Sequence, residues 1–559
     1  MKKILFTLTA FLSSLLSVQA EEAAYAVLSE KTETVKAKLE GVTLGSREVK
    51  RIAYEYPSTD VEGRAVKASG AIVIPTNVLN GSAPCDGIIM YNHQTLDRPA
   101  HVPSQGGPGL NPINIALACP LKPNYIFVAA DYLGYGSSID SGISYICGDT
   151  NSRNALDGLL AARQLLEDRQ IPQGKYLFNV GYSQGGTVSM FAAKLTDTEE
   201  KYKGIRFDKT FSGGGPLDFE QLINIYFERD ACDDISDVAL MLISANENYH
   251  LGIDYKDMFK EPMASKALEF FKSKDIAVVQ NIGISSLDSI SKILTPEFMN
   301  TESEAAKKMM AKLKQVSLTE GWNPDVTKQY YIVHSRHDNY VPIQCARTII
   351  PWMQDRGFQP SIVPGKTSLQ TNTVVFKLNH IQSSVVFFIQ TVAALQFWPV
   401  VYYEGEQNRY YHDVVGDMNI MKVIRLLDSW GIDIKKIAAE SGLSLGNFFA
   451  RAKEAEEEAS RRRLPKHGTI FDLIPNINTT LAKVDLTTDD LDEMCSDSGI
   501  TNADLLQVIR YLIDPTYNAR LKEIEENVEA PLYLLRSYEQ QLANWFLLAG
   551  IDTNGQWDF

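Results

Sequence analysis

A chain of 559 residues with 45% hydrophobic and 22% charged residues has the balance of a globular protein and length for two to four domains. The formal net charge of −15 argues against a nucleic-acid backbone as partner and says little about a small neutral substrate.

Residues 1–20 read as a signal peptide. Lys2 and Lys3 precede the uncharged, largely apolar run Ile4–Leu16, and Val18-Gln19-Ala20 supplies a cleavage site. A membrane-crossing helix needs about 20 apolar residues, which neither this run nor any later one provides. The mature chain is expected to start near Glu21 and to be exported, to the periplasm or the medium, with no integral membrane span and no lipoprotein anchor. Six cysteines in an exported chain can pair. Cys85–Cys119 and Cys147–Cys232 are the candidate disulfides, with free buried thiols as the alternative.

Eight strand-like runs follow: Arg51–Pro57, Gly70–Pro75, Gly87–Asn92, Tyr125–Tyr132, Tyr176–Gly181, Lys209–Gly213, Tyr330–His334 and Thr373–Leu378. Most are continuously apolar, as in a sheet covered on both faces. Helical patterns at Asn151–Asp168, Thr187–Leu195, Ile343–Arg356 and Ser383–Phe397 separate several of them. The alternation predicts an α/β fold with a mostly parallel eight-stranded sheet and right-handed crossovers. Residues 21–218 and 328–400 make up this core. The detour at 219–327 reads as helices Phe219–Arg229, Asp237–Asn248, Ser265–Ser273 and Ser303–Leu318, and a connection this long is usually functional. Its sharper reading is a helical lid over the active site; its plainer one is a peripheral insertion.

Residues 401–559 form a further, mostly helical region. Glu454–Arg463 reads as a solvated charged helix. Ile437–Ala452 has a helix–turn–helix look, but an exported acidic chain is a poor DNA binder. These helices offer a surface for oligomerisation.

The richest stretch is Tyr176–Gly186, where an apolar strand runs into Gly181-Tyr182-Ser183-Gln184-Gly185 and then a helix. Strand, tight turn and helix are the context of a nucleophile elbow. A second Gly-x-Ser-x-Gly, Gly442–Gly446, lies between helical patterns, so Ser444 reads as a turn or cap residue. A serine nucleophile needs a base and an acid that orients it. Asp338, after the seventh strand, is the candidate acid. His380, where the eighth strand gives way to helix, is the candidate base. Asp325 and Asp413 sit at the wrong places in this order, and His334 and His337 read as local or pocket residues. One oxyanion donor is expected from the Gln184 amide. The other is expected from the loop Tyr91-Asn92-His93-Gln94-Thr95.

The core, about residues 45–400, resembles the α/β-hydrolase superfamily. Within it the chain is similar to the secretory-lipase-like esterases and their bacterial relatives. Gly-Tyr-Ser-Gln-Gly-Gly, the segment Ala130-Asp131-Tyr132-Leu133-Gly134-Tyr135-Gly136 and Tyr-Asn-His-Gln-Thr carry the likeness. The resemblance implies a helical lid after the sixth strand, and it does not cover the C-terminal region. Relatives often read His-Gly-Thr where this chain has His93-Gln94-Thr95, which makes Gln94 the second oxyanion donor and Thr95 the alternative. Together these features predict an exported serine hydrolase that cleaves small-molecule carboxylic esters, lipid acyl or carbohydrate, without metal or organic cofactor. A peptidase or acyltransferase with the same triad, and a non-catalytic binding protein on this scaffold, are the alternatives.

Overall fold

Nine strands form one sheet among the described residues, one more than the sequence patterns predict. The computed structural model describes residues 24–39, 42–118, 123–232, 234–285, 288–335 and 340–358, the strand Leu369–Val374, and isolated positions beyond, including Asp338, His380, Ser384, Phe387, Thr391, the helix Ile477–Ala482 and residues 487–490. The signal-peptide reading, Cys119, His337, Asp413, Ser444 and nearly all of 401–559 lie outside the described residues.

The strands are β1 (Ala26–Leu39), β2 (Val42–Thr59), β3 (Ala65–Pro75), β4 (Gly87–Asn92), β5 (Tyr125–Ala130), β6 (Tyr176–Tyr182), β7 (Lys209–Gly213), β8 (Tyr330–Ser335) and β9 (Leu369–Val374), in lateral order β1-β2-β3-β5-β4-β6-β7-β8-β9. The pairs from β1 to β5 along this order are antiparallel; the remaining pairs are parallel. β1 is the unforeseen strand. Among its described side chains only Val35 is buried, so its sequence carries almost no apolar signal. Cross-strand pairs hold it instead, Lys50–Glu30 at 2.8 Å and Arg51–Glu33 at 3.0 Å. β9 begins four residues earlier than its sequence pattern suggests.

Alternate strand residues feed two cores. Ile89, Phe127, Phe178, Val180 and Phe211 pack with Ile113 and Leu117 of helix α1 (Asn111–Ala118) and with Phe387. Ile88, Met90, Ile126 and Val128 pack on the opposite face with Leu156, Leu159 and Leu165 of α2 (Gly148–Asp168) and Val188 and Ala192 of α3 (Gln184–Thr198). Both faces are therefore covered, as parallel sheets require.

Residues 219–327 are helical, built on α4 (Phe219–Arg229), α5 (Ile235–Asn248), α6 (Met263–Ser273) and α7 (Glu304–Gln315) with shorter helices between them. Asp218, Asp234 and Ser303 cap three of these by accepting backbone N–H bonds, as their residue types favour. Cys147 and Cys232 do not pair as a disulfide, and the Cys85 thiol is free. Cys147 is buried just before α2, and the Cys232 thiol donates to the Asp234 carbonyl oxygen at 3.6 Å. Each is accommodated locally.

At β4 the chain moves first to β5 on one side and then to β6 on the other. This is the switch point where open α/β sheets place their sites. Asn92 pairs with Gly181, so the loop after β4 lies beside the turn after β6. The approach is close: a Cβ on Gly185 would stand 2.0 Å from the Asn92 carbonyl oxygen, and one on Gly181 would stand 2.1 Å from the Gly185 carbonyl oxygen. Gly185→Ala should thus force β4 and α3 apart and cost on the order of 1–3 kcal/mol or more, read as a fall in Tm. An unchanged Tm would mean that the two segments yield freely.

Candidate active site

Ser183 joins β6 to α3 with φ 57° and ψ −126°, a backbone state that costs roughly 1–3 kcal/mol for a side-chain-bearing residue. Neighbouring strands hold it there. Its N–H donates to the Gly213 carbonyl at 2.8 Å, and its own carbonyl accepts from Gly186 and Thr187 at 2.8 and 3.2 Å. The motif glycines are needed for close approach; the positive φ belongs to Ser183 itself. The Gln184 amide is the first of α3 and has no intrahelical acceptor.

Asp338 follows β8 and His380 follows β9, at the same edge of the sheet as Ser183. The His380 Nδ1 lies 2.6 Å from the Asp338 Oδ2. Asp338 is buried, and its other oxygen accepts the N–H groups of Tyr340 and Val341 at 3.0 and 2.8 Å. A carboxylate at Nδ1 assigns the imidazole proton to that nitrogen. The buried Nε2 has no hydrogen-bond partner among the described residues and is left as an acceptor. Tyr182, next to Ser183, donates its hydroxyl to the His380 carbonyl at 2.8 Å, and its ring lies 5.1 Å from the imidazole. Tyr340 stacks on the imidazole at 4.8 Å and 15°. Positions 380, 384, 387 and 391 are helical and share one face, which seats Phe387 in the core and so anchors His380.

His334 turns its Nε2 to the Val341 carbonyl at 2.6 Å and is 3.7 Å from the Asp338 Oδ2, which puts it behind the acid. Asp325 organises the turn before β8 through the Thr327 N–H and an ion pair with Arg206.

The loop after β4 is braced by residues whose role the sequence reading did not assign. Tyr132 and Tyr135 donate their hydroxyls to the carbonyls of His93 and Leu96 at 3.1 and 3.2 Å. Asp131 is buried and accepts from Ser69 Oγ at 2.6 Å and the Ser104 N–H at 2.8 Å. A Cβ on Gly136 would fall 2.0 Å from Ser69 Oγ. In the sequence, residues 130–136 carry only a family resemblance, and their alternating tyrosines and glycines are the available signal. Within the loop, Tyr91 donates to the Gln94 Oε1 at 3.0 Å, and Thr95 Oγ1 meets the Tyr145 hydroxyl at 3.0 Å.

A cavity of about 20 Å³ is lined by Ser183 and Gln184, by Leu222 of α4, and by Asp237 and Met241 of α5, with Tyr340 beside them. Burial, then the neighbouring charge of Asp234, push the Asp237 carboxyl up to about 7. Among the described residues no group of three or more His, Cys, Asp or Glu could hold a metal ion, and no helix is long and apolar enough to cross a membrane.

No family model and no curated protein matches the sequence. Solved structures match the fold. A candidate hydrolase from Legionella pneumophila superposes with a TM-score of 0.55 at 19% identity, over 68% of this chain and 99% of its own. The rice cell wall degrading esterase LipA from Xanthomonas oryzae, in a ligand-bound form, gives 0.52 at 19% identity, over 66% and 96%. With the sheet order above, these likenesses define the α/β-hydrolase fold.

His93 offers a test of the loop. Burial pushes its imidazole down to about 4 from an ordinary value of 6.5. Its Nδ1 is 2.7 Å from the Gln94 carbonyl, and its ring stacks on Tyr132 at 4.0 Å. The unfolded chain takes up a proton near pH 6.5 and the folded one only near 4, so stability is full above 6.5 and falls toward 4 by about 3 kcal/mol. His93→Phe keeps a ring on Tyr132 and cannot be protonated. The Tm difference between the two proteins should narrow as pH drops through this window; a constant difference would mean that His93 titrates normally.

Proposed function

We propose that the chain is an exported serine hydrolase of carboxylic esters, lipid acyl or carbohydrate, acting through Ser183, His380 and Asp338. The observation that carries this reading is the Asp338–His380 pair at 2.6 Å, tethered through the Tyr182 hydroxyl to the residue before Ser183. The naming of the Xanthomonas oryzae neighbour as an esterase supports it at the level of the fold. Export rests on the character of residues 1–20.

In this reading the His380 Nε2 takes the Ser183 proton while Oγ attacks the ester carbonyl. The Asp338 carboxylate stabilises the imidazolium and holds its orientation. The oxyanion is met by the Gln184 amide, with the field of α3 behind it, and by the Gln94 or Thr95 amide. His380 then returns the proton to the leaving alcohol, and water, activated by the same imidazole, releases the acyl group from Ser183.

Residues 219–327 act as the lid. Leu222 of α4 and Asp237 and Met241 of α5 line the cavity beside Ser183, where their movement would admit or exclude an acyl group.

Ser183→Ala should lower kcat on p-nitrophenyl esters by a factor on the order of 10⁶ and abolish fluorophosphonate labelling, with circular dichroism unchanged. Asp338→Asn should cost about 10⁴, because an amide can hold the wrong imidazole tautomer. Retention of more than about a tenth of kcat in the Ser183 variant would remove that residue from the mechanism, and a wild-type protein that resists the probe would favour the non-catalytic alternative. Leu222 and Met241 reach the cavity from the insertion. Met241→Ala should raise the octanoyl-to-acetyl ratio of kcat/KM by about tenfold. An unchanged ratio would place acyl selection elsewhere.

A further inference from the structure

We propose that Asp237, on helix α5 of the inserted segment, is a positioning residue that couples the seating of that segment to the alignment of His380. This inference rests on the serine-hydrolase reading above.

Asp237 is part-buried in the wall of the cavity that contains Ser183. The Tyr340 hydroxyl hydrogen-bonds the Asp237 Oδ2. The ring of Tyr340 stacks on the imidazole of His380 at 4.8 Å, and its N–H donates to Asp338 at 3.0 Å. A continuous run of contacts thus joins Asp237, Tyr340 and His380, and of the three Asp237 alone belongs to residues 219–327. Tyr145 lines the same cavity and meets Thr95 Oγ1 at 3.0 Å.

The chemistry of Asp237 sets the direction of the bond. Above about pH 7 its carboxyl is ionised and only accepts, so Tyr340 donates to it. Charge-assisted bonds of this kind are about twice as strong as neutral ones. A carboxylate here also has a cost. It is partly removed from water, it shares its surroundings with Asp234, and it adds negative charge close to the position where an oxyanion forms. Asp234, Tyr145, Tyr340 and His380 are the titratable groups that face it. An apolar residue would suit a plain acyl pocket better, so the acid's value lies in what it holds. When α5 is seated, its acceptor fixes Tyr340. When α5 lifts, Tyr340 loses it, and the imidazole loses the fixed ring against which it packs. α4 adds a second tie to the same residue, since the Tyr226 hydroxyl donates to the Tyr340 carbonyl.

The test uses the full chain and two readouts, the rate of fluorophosphonate labelling of Ser183 and steady-state kinetics on p-nitrophenyl acetate. Tyr340→Phe keeps the ring and loses only the hydroxyl; Asp237→Ala removes the acceptor of that hydroxyl. Each should lower both the labelling rate and kcat by between about 10- and 100-fold, with KM within about twofold, since misplacement rather than lost binding is the cause. The double variant should be no slower than Asp237→Ala alone, because both changes break one link. Asp237→Asn retains one acceptor and should recover part of the lost rate. Rates within about twofold of wild type in Tyr340→Phe, or losses that multiply in the double variant, would overturn the inference. Should Asp237→Ala fail to fold, Tyr340→Phe and Asp237→Asn decide the matter by themselves. A wild-type protein that is not labelled would overturn the serine-hydrolase reading and this inference together. Normal labelling of both wild type and variants would overturn only the inference.

Discussion

The site depends on how closely β4 and the α3 N-terminus approach one another. The Asn92 carbonyl oxygen occupies space that any side chain at position 185 would claim, with 2.0 Å to its Cβ position. Beneath this contact, Asn92 Nδ2 donates to Asn179 Oδ1 at 2.8 Å and Ser189 Oγ at 2.9 Å, while Asn179 Nδ2 donates to the Ser189 carbonyl at 2.8 Å. These buried amides join β4, β6 and α3 into one rigid floor, since buried polar groups are tolerated when paired and then specify geometry. The strain at Ser183 is sustained by this floor, not by the turn alone.

From that floor the remaining site residues follow by topology. The parallel strands β6, β8 and β9 deliver Ser183, Asp338 and His380 to one edge of the sheet, although these residues lie far apart in sequence. Each acid buried at this edge is satisfied by donors from its own surroundings. Asp338 receives two backbone amides as well as the imidazole, and Asp131 receives Ser69 and Ser104. The first arrangement fixes the orientation of the imidazole. The second ties the segment around Ser104 to β3.

Residues 219–327 pack against the core through both apolar and polar contacts. Their apolar faces form one large cluster with Met190 and Phe191 of α3 and with Ile332 and Val341 at the edge of the sheet. Such a cluster makes the seated position of α4 and α5 favourable by burial. Polar contacts from Tyr226 and Asp237 add direction to that burial, because hydrogen bonds select one seating among the many that apolar packing allows.

Much of the fold was legible in the sequence because apolar runs report burial directly. The runs behind eight strands and the main helices of 219–327 are of this kind. β1 was not legible, since an exposed edge strand is held by backbone pairing and ion pairs that leave no apolar pattern. The pairing of Cys147 with Cys232 also failed as an expectation, because spacing cannot say where two thiols come to rest. Chain order alone nominated Asp338 and His380 as partners. Only the tertiary structure decided that His334 stands behind the acid, that Tyr132 and Tyr135 brace the loop after β4, and that Asp237 faces Tyr340 from a separate segment. The physical reason is the range of the forces. Periodicity and turn chemistry act within a few residues and are written in the sequence, whereas a hydrogen bond across 103 residues exists only once the sheet has set both ends in place.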